Sequence, residues 1–156
     1  MIGLGREPKE LSDLFYVCGL IDYISRETKN RRKVVVNQLG KELITKVYDL
    51  ADVYHSDQIQ WVSEDLIEKA GIQTGEFDNV ADCRYSIPTY WEIGKVYKRL
   101  IQRVAQSLNI SLIDALFLVY NSFLSPKIDD YNSTLYTENP DNLLIYFEEG
   151  RIQGVF

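Results

Sequence analysis

Three polar residues at helical spacing, Asp49, Asp52 and His55, come closer than any other set in this chain to the makings of a reaction centre. The D-x-x-D-x-x-H pattern aligns them along a helix, where two carboxylates and an imidazole can share a proton or hold a cation. Cys83 stands beside Arg84, the kind of cationic neighbour that favours a thiolate nucleophile, and would join them if the fold carried it to His55. The ordinary reading is simpler. Asp49 and Asp52 fall opposite the stripe Leu43, Val47, Ala51, Tyr54, where solvated charges belong, and His55 closes the helix, where an imidazolium meets the favourable end of the dipole. His55 is the single histidine, which excludes multi-histidine metal centres but not carboxylate-only magnesium binding. Cys18 and Cys83 form neither a CxxC pair nor a zinc cluster, and no P-loop, dinucleotide or nucleophile-elbow motif occurs. The expectation is a protein without a catalytic residue, cofactor or metal, with an enzyme built on Asp52, His55 and Cys83 as an alternative if the three converge.

A binding surface is read instead between Asp78 and Arg103. Residues 73–87 hold no sustained period and contain Gly75, Asp78 and Asn79, so they form a long loop, and long loops are often functional. Arg84, Tyr85, Tyr90 and Trp91 supply the tyrosine, tryptophan and arginine enriched at interface hot spots, against the competing role of loop and core anchors. Tyr90 and Trp91 would anchor a protein partner, while Arg84, Lys95 and Arg99 orient its acidic surface. The same tyrosine-rich surface could close a homodimer.

The elements that position these residues are helical throughout. Apolar residues recur at three and four over Lys9 to about Thr28, then over a short segment from Arg31 to Gly40 and another from Lys41 to His55. Ser56 is placed to cap a helix carrying Ile59, Val62, Leu66 and Ala70 up to Gly71, and Pro88 to occupy the first turn of the next. That next helix has the clearest stripe: Ile93, Val96, Tyr97, Leu100, Ile101, Val104 and Leu108. Ser111 with Asp114 starts LIDALFLVYNSFL, apolar on nearly every side and expected at the centre of the core. In the tail 127–156, Asn139-Pro140 and Gly150 favour a helix through LLIYFEE, with a β-hairpin of LLIYF and RIQGVF as the alternative. One all-α domain over residues 1–156, a bundle of about six helices, is the expected fold. Nothing in the N-terminal residues resembles a secretion signal and no apolar run could span a bilayer, so a cytoplasmic protein is expected.

Charge is sorted along the chain. Residues 26–46 carry seven cations against Glu27 and Glu42, a net +5, whereas 47–83 carry nine carboxylates against Lys69, a net −8. Residues 84–103 return to +4, with five cations against Glu92. Solvated faces and weak pairing account for such blocks in most proteins. The sharper alternative is a nucleic-acid-binding regulator using Arg31, Arg32 and Lys33 together with a ridge of Lys95, Arg99 and Arg103, although the net charge of −6 opposes a polyanion.

The runs DNVADCRYSIPTYWEIGKVYKRLI, YDLADVYHSD and SRETKNRRKVVVNQLG resemble a group of small bacterial helical proteins whose genes accompany toxin–antitoxin or phage-defence cassettes, some containing ADP-ribosyltransferase-like toxins. The likeness covers roughly residues 12–103 and carries no catalytic residue with it. It implies a bacterial cytosolic setting and a protein partner, with an antitoxin-like or defence role.

Overall fold

The computed structural model describes residues 7–152, which form nine α-helices and one 3-10 turn with no strand. The order is α1 (Lys9–Thr28), α2 (Arg32–Asp49), α3 (Ala51–His55), α4 (Ile59–Ala70), α5 (Asn79–Asp82), α6 (Tyr90–Leu108), α7 (Leu112–Tyr120), α8 (Leu124–Ile128), the 3-10 turn (Leu135–Thr137) and α9 (Pro140–Glu149). No helix among the described residues is long and apolar enough to cross a membrane. The tail is helical: Asn139 accepts from the Asp141 amide, Pro140 fills the first turn, and Gly150 ends the helix at φ 71°. This replaces the hairpin alternative, whose last residues, 153–156, lie outside the described residues.

The core is organised on α1 and α6, which pack against each other more extensively than any other pair. Their approach is set by two glycines. A Cβ on Gly94 would lie 2.7 Å from the Gly19 nitrogen, and one on Gly19 would lie 2.2 Å from the Trp91 ring. Helices α2, α3 and α4 pack on α1, while α7 and α9 pack on α6, and α7 also touches α2. Tyr97 and Tyr120, both fully buried, stack with centroids 4.1 Å apart between α6 and α7. Cys18 is buried beside them, and burial pushes its thiol up to about 12, so it stays protonated and unreactive.

Several boundaries differ from expectation for local reasons. The break expected at Gly40 is present, its φ of 79° and ψ of 164° dividing α2 into two helical segments at a kink, but the second segment does not run on to His55 and breaks again at Leu50. Ser56 does not cap α4: its hydroxyl donates to the Val53 carbonyl at 2.6 Å, and α4 starts after Gln58 without a side-chain cap. Pro88 lies before α6, not in its first turn. Thr89 and Glu92 form a reciprocal capping box there, which satisfies two backbone N–H groups that a proline start would leave to solvent. Helix α7 is less enclosed than its sequence implies, since Leu118 is 45% exposed.

Candidate functional site: a pinned loop over a buried polar network

The site begins with a carboxylate on an apolar face. Asp22 lies one turn after the buried Cys18 on α1 and is itself buried, so its charge needs a partner. Arg32, at the start of α2 and fully buried, donates Nε to Asp22 Oδ1 at 2.7 Å. Arg26, one turn beyond Asp22, donates Nε to the other oxygen at 2.8 Å. The rest of the Arg32 fork reaches Asn79 Oδ1 at 3.3 Å and the Tyr131 hydroxyl at 3.1 Å. Burial works against the Arg32 charge, but Asp22 and then Asp129 hold its pKa above the usual arginine value. These contacts join α1, α2, the 73–88 segment and the chain after α8 in one network.

Asp129 closes the network on the α6 side. It is buried, and Tyr97 donates its hydroxyl to Oδ1 at 2.6 Å, while Asn79 donates Nδ2 to the Asp129 carbonyl at 2.9 Å. Burial raises its carboxyl to about 7, a push that Arg32 opposes. The raised value fixes a sign for pH dependence. Between about pH 4 and 7 the folded chain retains a proton on Asp129 that the unfolded chain has released, so this group's stabilising contribution is lost as pH rises through that window. Asp129→Asn, which keeps an acceptor for Tyr97, is expected to abolish that loss. Urea titrations from pH 4 to 8 should show the variant gaining on the wild type by up to about 4 kcal/mol. A difference that does not vary with pH would contradict the assignment.

The network's outer product is a loop without slack. At its start, Asn30 donates to the Gln73 carbonyl at 2.8 Å, and the amides of Gly75 and Phe77 donate to Thr28 and Lys29 carbonyls at 2.8 and 2.9 Å. Gly75 is required there, because a Cβ would sit 2.6 Å from the Lys29 carbonyl oxygen. Asp78 caps the short α5 through the Ala81 amide. Beyond it, Asn132 straddles the chain, donating to the Asp82 carbonyl at 3.0 Å and accepting from the Arg84 amide at 2.8 Å. Arg26 then takes the Pro88 carbonyl at 2.7 Å. Between these ties Arg84, Tyr85 and Ile87 face solvent, with Tyr85 61% and Ile87 48% exposed.

The sequence-selected residues separate into distinct groups. Arg84, Tyr85, Lys95 and Arg99 are exposed, and among the described residues the three cations make no ion pair. Tyr90 and Trp91 are half-buried and belong to an aromatic row: Tyr90 meets Tyr23 edge-on at 5.1 Å, and Trp91 lies 5.3 Å from Phe15 and packs over Gly19. Trp91, Phe15, Tyr16, His55 and Ser12 line an open groove of about 520 Å³. The Tyr16 hydroxyl is buried there with no hydrogen-bond partner among the described residues, and burial raises it to about 12.

The basic set is reduced. Arg32 is inside the protein and committed to Asp22, Asn79 and Tyr131, so it leaves the residues that could reach a phosphate. Arg103 is drawn to Asp141 at 2.6 Å, which shortens the α6 ridge to Lys95 and Arg99. Arg31 lies over the Phe77 ring at 4.4 Å, and Lys33 remains exposed. Asp52, His55 and Cys83 go to three different partners: Lys9, the Tyr16 ring and the Tyr85 carbonyl. Among the described residues no three histidine, cysteine or acidic side chains form a cluster able to hold a metal.

No protein-family model, curated protein or solved structure matches the chain. Asp22, Asp129, Tyr131 and Asn132 have no role in the sequence-based expectation, and Asn79 enters it only as a loop residue. Only Asp22 carried a signal, a carboxylate one turn from Cys18 within the apolar stripe of α1.

Proposed function

We propose that this protein is a non-catalytic interaction module that binds another protein through the loop 82–88 and the adjoining face of α6. The observation that carries this reading is the pinned loop, which presents Arg84, Tyr85 and Ile87 to solvent while Asn132 and Arg26 hold its backbone. A loop already held in one conformation loses little entropy on binding, and tyrosine and arginine are the residues that dominate interface energetics. Lys95 and Arg99, without ion pairs among the described residues, add a cationic flank suited to an acidic partner surface. The half-buried Tyr90 and Trp91 support the start of α6 while offering their outer edges. The resemblance to bacterial proteins of toxin–antitoxin and defence cassettes agrees with a protein partner and suggests a regulatory, antitoxin-like role.

The test is affinity capture from the protein's own host at moderate salt, with Tyr85→Ala and the charge reversal Arg84→Glu/Lys95→Glu/Arg99→Glu as parallel baits. A single acidic protein retained in stoichiometric amount by the wild type is expected. Tyr85→Ala should weaken its binding by about 2 kcal/mol, the scale of an interface hot spot, and the charge reversal should abolish capture. Equal recovery on all three baits, or recovery of nucleic acid in place of protein, would overturn the proposal.

A further inference from the structure

A second surface lies on α4, made of residues other than those assigned to the loop and α6. Val62, Ser63 and Leu66 turn inward, which leaves Trp61, Glu64, Asp65 and Glu68 on the outer side. Their spacing of three, four and seven places them in one row along the helix. Trp61 is 60% exposed and heads the row. Buried indoles are ordinary, but an exposed one among carboxylates gains little from its position in the folded chain. Lys69 pairs with Asp65 at 2.9 Å, whereas Glu64 and Glu68 make no ion pair among the described residues. The nearest sequence on either side adds Asp57 and Glu76 to an already acidic stretch.

We infer that the outer face of α4 is a docking surface for an arginine-rich segment of a second protein. Charge complementarity selects that occupant. A guanidinium is the one common side-chain group that can stack on the Trp61 face and pair with a carboxylate one turn away, whereas an ammonium does the second more readily than the first. An acidic, apolar or nucleic-acid partner would meet unpaired carboxylates. The loop reading assigns the protein an acidic partner at a cationic surface, so a basic segment on α4 would give the chain two recognition faces of opposite sign.

The probe is a nonamer of arginine, titrated at physiological ionic strength against wild type, Trp61→Phe, Glu64→Gln/Glu68→Gln, and a control of equal charge change elsewhere, Glu10→Gln/Glu42→Gln. All of these positions are exposed, so each variant is expected to fold. The expected result is quenched tryptophan emission in the wild type. Affinity should be at least about fivefold weaker for Trp61→Phe and about tenfold weaker for the α4 pair, with the control pair near wild type and a lysine nonamer binding less well than arginine. If the control pair weakens binding as much as the α4 pair, or Trp61→Phe leaves affinity unchanged, the attraction is bulk charge and the inference fails. It fails equally if sedimentation shows that Trp61→Ala dissociates a dimer, since a second copy would then cover the face. None of these readouts depends on Arg84, Tyr85, Lys95 or Arg99, so failure here leaves the loop reading standing.

Discussion

Asp22→Ala is expected to lower the unfolding free energy by about 3–5 kcal/mol, a large part of the total for a domain of this size. Asp22 is the carboxylate that both Arg26 and Arg32 address, and Arg32 is fully enclosed. Its removal leaves a buried guanidinium beside Asp129 alone, and a buried charge that loses its partner costs more than the pair contributes when intact. Asp22→Asn, which retains shape and loses charge, should show most of the same loss. The double variant Asp22→Leu/Arg32→Met should recover a substantial part of it, because neither charge is then buried, although Asn79 and Tyr131 lose their donor, Arg26 its carboxylate and Asp129 its cation. Urea unfolding measures all three. A loss below about 1 kcal/mol for Asp22→Ala would mean that solvent reaches Arg32 and that the network is not sealed.

Gly94→Ala is the second large effect, expected near 3 kcal/mol. The added methyl would stand 2.7 Å from the Gly19 nitrogen and 2.9 Å from its Cα, and backbone atoms cannot rotate aside. Helices α1 and α6 must therefore separate, loosening the most extensive interface in the fold, and alanine's better helix propensity recovers only about 1 kcal/mol of that. Gly19→Ala provides the contrast. Its methyl would strike the Trp91 ring, 2.2 Å away, and a half-buried side chain can swing outward, so the expected loss is smaller and accompanied by a red shift of Trp91 emission. Equal thermal stability of Gly94→Ala and wild type would show that the helices cross with more room than these distances allow.

What could be read from the sequence was whatever depended on near neighbours. The stripe of α6, the Ser111 cap, and the Asn139-Pro140 start and Gly150 stop of α9 rest on residues within a turn or two, and the structure has each of them, apart from Leu108 at the end of the stripe, which is 49% exposed. Arg32 was not readable, because Arg31, Arg32 and Lys33 are alike in type and adjacent in position. Which of them goes inside is decided by Asp22, Asn79 and Tyr131, at separations of 10, 47 and 99 residues. The loop 73–87 was recognisable as irregular, but the stiffness of this segment comes from Asn30, Arg26 and Asn132, which lie far from it in sequence. Trp61 did leave a trace. It falls outside the stripe of Ile59, Val62 and Leu66, so its exposure follows from helical geometry alone.

The claim that unites the buried network with a binding role is that the loop 82–88 is held rigid before any partner arrives. Amide hydrogen exchange at Arg84 tests it most directly, since this amide sits on an exposed residue yet donates to Asn132 at 2.8 Å. The Arg84 amide is expected to exchange at least about tenfold more slowly than an unstructured amide, and Asn132→Ala to remove this protection while the amides of α6 keep theirs. An Arg84 amide exchanging at the unstructured rate in the wild-type protein would contradict it.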